Sequence, residues 1–156
     1  MKKYTQGFSV IEILAVIAIL AILVAIAIPS LSNFRNQQVL KNTSDDIVSL
    51  LHQAYAQTNS SLNGTNYGVH FTSSTATLFT GSTYSSGASG NKVINFDSRV
   101  TLASGDIALN GGGSDVIFTR LSGDITNYGT LTIRLTSNNT QTKVINIYQT
   151  GNVSAN

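Results

Sequence analysis

The stretch Gly7-Phe8-Ser9-Val10-Ile11-Glu12, with the unbroken apolar run Ile13 to Ile28 behind it, decides how the amino-terminal part of this chain folds. Only Ser9 and Glu12 interrupt the apolar character of the 21 residues from Phe8 to Ile28. At about 1.5 Å per residue, a helix of this length rises about 31 Å, enough to cross the hydrocarbon core of a membrane. The sequence therefore predicts a transmembrane helix over residues 8–28.

Glu12 places one carboxylate inside this apolar helix. A lone ionisable group there costs about 2.5–3.5 kcal/mol on insertion scales. An unpaired buried charge is strongly destabilising, whereas a charge with a partner loses most of that penalty. Glu12 is therefore a candidate functional residue whose partner has to be found.

The amino terminus does not have the pattern of an ordinary secretory signal. Its apolar stretch is too long, and no small-x-small cleavage site follows it. Lys2 and Lys3 stand just before the helix. The positive-inside rule then predicts a single-pass protein with its amino terminus in the cytoplasm and the remainder outside.

Composition limits the function classes. Only 10% of the residues are charged, and the chain beyond Asn59 is rich in Ser, Thr, Asn and Gly, which is typical of exported β-rich domains. Nine basic against seven acidic side chains give a net charge of +2, and Lys2 and Lys3 account for that excess. The charge therefore does not indicate a nucleic-acid partner. The absence of cysteine excludes disulfides and thiolate metal sites.

The helix is predicted to continue beyond the membrane to about Gln57 or Asn59. Apolar residues recur there at steps of three, four and seven, the spacing of one helical face. Pro29 is expected to kink this helix without ending it. The predicted apolar face comprises Leu31, Phe34, Leu40, Ile47, Leu51, Ala54 and Tyr55.

Short alternating segments between turn signals predict an antiparallel β-domain over the rest of the chain, and hence an α+β fold. A hairpin is expected across Ser73-Ser74-Thr75. The predicted strands are Gly68–Thr72, Ala76–Thr80, Val93–Phe96, Val100–Leu102, Ile107–Leu109, Val116–Thr119, Thr130–Leu135 and Lys143–Tyr148.

No catalytic residue, cofactor or metal site is predicted. His52 and His70 lack ligand spacing and are interpreted as structural, and no hydrolase, Walker or zinc-protease motif occurs. Hairpin spacing explains the nine-residue period of four aspartates more simply than a calcium-binding roll does. The basic side chains of the second half are interpreted as solvated, with phosphate binding as the alternative. The aspartates are Asp97, Asp106, Asp115 and Asp124, and the basic residues are Arg99, Arg120, Arg134 and Lys143.

The order K-K-x-x-x-G, F-S-V-I-E and a long apolar helix resembles the type IV prepilin signal. The resemblance implies that a membrane-embedded prepilin peptidase cuts between Gly7 and Phe8 and methylates the new amine of Phe8. Gly at the cut suits a narrow protease cleft, because it has no Cβ. In a filament, Glu12 of one subunit could then pair with the Phe8 amine of its neighbour. Pro29 also falls where this family has a proline.

The domain division that follows is a leader (1–7), a transmembrane and polymerisation helix (8–28), its amphipathic continuation (29–59) and an exported β-rich domain (60–156). Three segments resemble the GspH/FimT group of minor pseudopilins and minor pilins. They are the helix region from Val39-Leu40 to Leu50-Leu51-His52-Gln53-Ala54, the segment Val116 to Gly123-Asp124 and the tail Ile145 to Val153. That group has a long helix packed on two antiparallel sheets, and the tail corresponds to its closing strand and Gly turn.

The resemblance implies a structural, non-enzymatic subunit of a type IV pilus or a type II secretion pseudopilus. Its expected partners are pilin subunits including itself, the prepilin peptidase, the inner-membrane assembly platform and ATPase, and membrane lipid before assembly. Its expected location is the inner membrane and then a periplasmic or extracellular filament. The alternative is a DNA-binding minor pilin for DNA uptake. FimT-like proteins that bind DNA have basic residues near the carboxyl terminus, whereas this chain has none after Lys143.

Overall fold

The computed structural model of the protein describes residues 7–156, except for the side chains of residues 27–30 and 104. Over this range one α-helix precedes nine β-strands, with short 3-10 helices at Leu62–Gly64 and Ser104–Asp106. The elements are α1 (Val10–Asn59), β1 (Tyr67–Phe71), β2 (Thr75–Thr80), β3 (Lys92–Asn95), β4 (Val100–Thr101), β5 (Ile107–Leu109), β6 (Asp115–Phe118), β7 (Gly129–Leu135), β8 (Thr142–Ile147) and β9 (Val153–Ala155).

These elements confirm the predicted α+β fold. Helix α1 ends at Asn59, and the eight predicted strands are all present with ends that differ by at most one residue. The short strand β9 lies in the tail where the family resemblance implied a closing strand. Helix α1 runs without interruption through Pro29, although that residue has no N–H to donate within the helix.

The chain divides into two compact units, with the boundary between Arg35 and Asn36. In the described part of the first unit, the structure is the amino-terminal portion of α1 and the residues just before it. The second unit contains the remainder of α1 and both β-sheets.

Two antiparallel sheets form the second unit. The first has the strand order β3-β2-β1-β6, and the second has the order β4-β7-β8-β9, with β5 also paired to β7. In the first sheet Val69 lies between Leu78 and Val116 on the neighbouring strands. In the second sheet Leu131 pairs with Ile145. These paired residues are apolar and buried, so the register places one face of each sheet in the core.

The core forms between these inner sheet faces and one side of α1. Buried helix positions recur at steps of three and four from Leu40 to Ala54, as a single helical face requires. The side chains of Ile47 and Leu51 have no exposed surface. The sheets contribute apolar residues to the same cluster, among them Val69, Phe71, Phe118, Leu131, Ile133 and Ile145.

The apolar face predicted for α1 is not buried in the core at its amino-terminal end. Leu31 and Phe34 are 51% and 65% exposed. Both lie in the first unit, and the buried face begins only at Leu40. Periodicity identifies residues that share a helix face, but it does not identify what covers that face.

Tyr55 on α1 joins the helix to two turns of the β-domain. A Cβ on Gly123 would lie 2.4 Å from the Tyr55 ring, and one on Gly151 would lie 2.7 Å from it. Both glycines have positive φ, +72° and +81°, which residues with a side chain rarely adopt. Phe118 meets the same ring edge to face at 6.0 Å. The ring therefore holds the carboxyl-terminal turn against the helix.

Candidate functional site

The amino-terminal portion of α1 has an apolar surface that no other described part of the chain covers. Every residue from Gly7 to Ile26 is exposed, and Phe8 is exposed by 79%. The helix is long and apolar enough to cross a membrane, by length and composition. Leaving one large aliphatic side chain in water costs about 1.5–3 kcal/mol relative to burial. An apolar environment would therefore stabilise this surface relative to water.

The backbone around Ser9 fixes where this helix begins. The Ser9 carbonyl accepts the N–H groups of Glu12 at 3.1 Å and Ile13 at 3.2 Å, which makes Ser9 the residue that caps the helix. Glu12 is thus the third helical residue. The first turn of a helix has a partial positive charge, which favours a carboxylate there. The partial positive charge of the first turn therefore offsets part of the free-energy cost of placing the Glu12 carboxylate in an apolar helix.

Serine at the cap and glutamate three residues later also match the sequence of a capping box. In that motif the glutamate bonds to the backbone N–H of the cap. The sequence reasoning missed this pattern, although its signal is plain in Ser9-Val10-Ile11-Glu12. Glu12 therefore has two candidate roles, one within its own helix and one toward a neighbouring subunit.

Packing does not explain the glycine at position 7. A Cβ built there meets no described atom within 4 Å. Within the described residues, the fold would accept another residue at this position.

Two other predicted features involve side chains outside the described part of the chain. Helix α1 passes through Pro29, but the side chain of that residue is not among those described. Lys2 and Lys3 lie outside the described residues, so their proposed role in setting orientation stays a prediction.

The histidines occupy separate structural settings. His52 is exposed on α1. His70 lies on β1, where its Nδ1 is 2.5 Å from a carboxylate oxygen of Asp115 on the neighbouring strand. The Tyr84 ring stacks on His70 at 3.9 Å and also packs edge to face on Phe79. These contacts attach the loop after β2 to the outer face of the first sheet.

The four periodic aspartates do not come together. Asp97 binds Arg99, Asp106 binds Arg134, Asp115 binds His70, and Asp124 is exposed. Among the described residues no three His, Asp or Glu side chains are grouped so that they could hold a metal ion.

The arginines are also engaged within the domain. Arg99 forms a two-pronged pair with Asp97, at 2.9 Å and 3.0 Å. Arg120 donates to the Gly64 carbonyl at 2.9 Å. The interpretation of Arg134 as a solvated side chain is wrong, because its guanidinium bonds to the buried carboxylate of Asp106. The two carboxylates offset the charges of Arg99 and Arg134, whereas Arg120 keeps its positive charge beside a neutral carbonyl.

The Asp97 carboxylate is the site of the clearest electrostatic perturbation. The side-chain hydrogen bonds from Arg99, followed by the Arg99 backbone N–H, lower the pKa of Asp97 to about 2. The same pairing raises the pKa of Arg99. Both residues belong to the turn that leads into β4, so the pair stabilises this turn.

The fold and the amino-terminal segment together define a class of protein. The model of a family described as the prokaryotic N-terminal methylation motif matches residues 2–28. Helix α1 begins within that motif and continues into the unit that contains the two antiparallel sheets. The chain therefore carries a prepilin-type methylation motif, and its fold is pilin-like.

Solved structures show the same architecture. Two crystal forms of the type IV minor pilin FimU from Pseudomonas aeruginosa strain PAO1 match this chain. One has a TM-score of 0.55 at 12% identity over 75% of this chain and 92% of that chain. The other has a TM-score of 0.58 at 13% identity over 79% and 92%. At such identities the likeness is one of fold. No curated protein sequence matches the chain.

Proposed function

We propose that this chain is a structural subunit of a type IV pilus, or of the related type II secretion pseudopilus, and that it assembles through its amino-terminal helix. The observation that carries the proposal is the apolar helix surface, exposed from Phe8 to Ile26. Lipid covers this surface while the subunit waits in the inner membrane, and the same helices of other subunits cover it in the filament. The same apolar surface would thus anchor the subunit in the membrane and join it to other subunits in the filament.

Maturation precedes assembly in this proposal. Residues 1–7 are a leader that the prepilin peptidase removes between Gly7 and Phe8, and the enzyme then methylates the amine of Phe8. The motif match over residues 2–28 and the absence of a packing reason for Gly7 support this step. The polymerisation helix then comprises residues 8–28, and its continuation over 29–59 supports the exported domain of residues 60–156.

The remaining partners follow from this route. Lys2 and Lys3 keep the amino terminus in the cytoplasm. An assembly platform and its ATPase in the inner membrane then add the subunit to a periplasmic or extracellular filament. The fold shared with the minor pilin FimU favours a minor pilus subunit, and we place the chain near the GspH/FimT group.

DNA binding is the less favoured function. Arg99, Arg120 and Arg134 each have a partner within the domain. Contact with DNA depends on cations that neutralise phosphates, and its affinity falls steeply with salt. A gel shift of duplex DNA by the full chain that disappears at higher salt would favour DNA uptake over a purely structural function.

The cleavage step provides the sharpest test of the structural function. Gly7→Val should block removal of the leader, because its branched side chain does not fit a cleft that accepts glycine. Mass spectrometry of membranes and of sheared filaments should then find the wild-type chain beginning at methylated Phe8 in filaments. The variant should retain residues 1–7 and stay in the membrane.

Gly87→Val is the matched control, since a Cβ at Gly87 also meets no described atom within 4 Å. It should be processed and assembled normally. A Gly7→Val chain that appears in filaments with a normal amino terminus would overturn the proposal.

A further inference from the structure

An open groove of about 660 Å³ lies at the carboxyl-terminal edge of the second sheet. Tyr128, which lies just before β7, lines one part of the groove. The segment from Tyr148 to Ser154, which includes the turn between β8 and β9, lines the rest. Its lining residues are Tyr128, Tyr148, Gln149, Thr150, Asn152 and Ser154. The sequence reasoning did not identify this site, because its two tyrosines are distant in the chain and meet only through strand pairing.

The backbone frame of the groove is fixed. The Tyr148 N–H donates to the Asn152 carbonyl, and the Gly151 N–H donates to the Tyr148 carbonyl, both at 2.9 Å. Gly151 in turn packs on Tyr55 and on the Gly123 carbonyl. The Tyr128 ring is half-buried against the core. A ligand would therefore meet a surface that is already in place, which reduces the entropy lost on binding.

The groove presents hydrogen-bonding groups that the domain does not use. Within residues 7–156, the side chains of Tyr148, Gln149, Thr150 and Ser154 have no hydrogen-bond partner in the protein. Hydroxyl groups and carboxamides can each donate and accept. The Tyr148 side chain, half exposed at 50%, adds an aromatic face. No residue that lines the groove is charged.

We propose that this groove binds a neutral oligosaccharide. The negatively charged face of an aromatic ring attracts the weakly positive C–H face of a pyranose. The surrounding amides and hydroxyls match sugar hydroxyls, which also donate and accept. This binding would be a further activity of the exported domain, and it does not depend on whether the chain enters a filament.

Other occupants fit the groove less well. Nucleic acid requires Lys or Arg against its phosphates, and the lining contains neither. Small apolar ligands prefer enclosed cavities, whereas this groove is open and its lining also presents hydroxyl and carboxamide groups. The centres of protein interfaces favour Met and Arg as well as aromatic residues. A neutral sugar is the ligand that uses both the rings and the uncharged polar groups.

Titration of the full chain in lipid nanodiscs with cellohexaose, maltohexaose and N-acetylchitohexaose tests the proposal. Nanodiscs avoid glycoside detergents, which could occupy the groove themselves. Saturation-transfer NMR and calorimetry should detect at least one of these sugars. Tyr148→Ala should weaken binding by about tenfold through loss of the aromatic face, whereas Tyr148→Phe should stay within about threefold.

Tyr84→Ala is the matched control. It removes a tyrosine ring that packs on His70 of the first sheet and does not line the groove. It should leave sugar binding unchanged in a folded chain. The proposal is overturned if none of the three sugars binds. It is also overturned if binding survives Tyr148→Ala, or if a single-stranded oligonucleotide displaces the sugar at low salt.

Discussion

Charged side chains in the β-domain mostly hold local structure. Asp97 pairs with Arg99 in one turn, and Arg120 reaches the Gly64 carbonyl across the chain. The Asp106 carboxylate binds Arg134 with one oxygen and accepts the Ala103 N–H at 3.0 Å with the other. With few charges available and most of them engaged, the surfaces that remain are largely neutral. This neutrality favours the function of a structural subunit over that of a nucleic-acid-binding protein.

The Asp97 carboxylate predicts a small loss of stability in acid. Its pKa of about 2 lies below the ordinary value of 3.8, so the folded state favours the ionised form. The stabilisation is therefore complete above about pH 4 and is lost as pH falls from about 4 to about 2. Asp97→Asn should lower the melting temperature slightly at neutral pH, because the side chain is 35% exposed and screened by solvent.

Thermal unfolding of wild type and Asp97→Asn between neutral pH and about pH 2 checks this expectation. The two melting temperatures should converge at the acid end, since protonated Asp97 resembles the amide. A difference that stays constant over the whole pH range would contradict the assigned pairing.

The contact of Tyr55 with Gly151 predicts a large effect from one methyl group. In Gly151→Ala the new Cβ would lie 2.5 Å from the Gly123 carbonyl oxygen and 2.7 Å from the Tyr55 ring, at a φ of +81°. We expect a loss of about 2 kcal/mol or more in the free energy of unfolding. Gly87→Ala is the control, because its Cβ meets open space. Equal urea midpoints for the two variants would contradict this account of the turn.

At the scale of the element, helix α1 was the most predictable part of the chain. An unbroken apolar run and a following three-and-four periodicity are local signals, and they gave the helix its length and its end at Asn59. The error at Leu31 and Phe34 has a physical origin, because burial depends on which element packs against a face. That information is not local to the helix.

A matched pair of leucines tests this division of α1. Leu51 is fully buried, whereas Leu31 is 51% exposed. Leu51→Ala should lower the free energy of unfolding of the β-domain by about 2–5 kcal/mol, because it leaves a cavity in the core. Leu31→Ala should leave it nearly unchanged. Chemical denaturation of both variants in nanodiscs, followed by the fluorescence of the tyrosines, compares them; equal losses would contradict the core as described.

The strands were also predictable, because alternation and turn residues are short-range signals. Their order in two sheets was not. The pairing of Arg134 with Asp106 spans 28 residues, and it requires β5 to lie beside β7. Alternation alone places Arg134 away from the apolar core, which led to its interpretation as a solvated side chain. Long-range pairs of this kind are set by topology, and local pattern does not contain them.

At the scale of the whole molecule, the assembly site stays a prediction from the sequence, whereas the groove was not predicted at all. The residues predicted for processing and assembly lie within the contiguous segment from Gly7 to Pro29, so a sequence motif can represent them. The groove joins Tyr128 to Tyr148 through the pairing of β7, β8 and β9. A function proposed from the amino terminus therefore does not describe what the β-domain contacts.

Assembly predicts that Glu12 requires its charge. In the processed chain, the carboxylate of one subunit would pair with the Phe8 amine of the next inside the filament. Glu12→Gln keeps a side chain that suits the third position of a capping box but removes the charge. It should insert in the membrane and lose its leader normally, yet be strongly depleted from filaments. Mass spectrometry of the membrane and filament fractions measures both steps.

Ser9→Ala separates the two roles of Glu12. It removes the hydroxyl that the capping-box sequence requires and retains the carboxylate, so it should weaken the first turn by at most about 1 kcal/mol and still enter filaments. The opposite pattern, with Glu12→Gln assembling and Ser9→Ala failing, would make Glu12 a capping residue of its own helix. In that case the cost of a carboxylate in lipid would be offset within one subunit, and register between subunits would have to come from the apolar side chains alone. Because an unpaired buried charge is strongly destabilising, a pair completed only in the filament would also favour the assembled subunit over the free one.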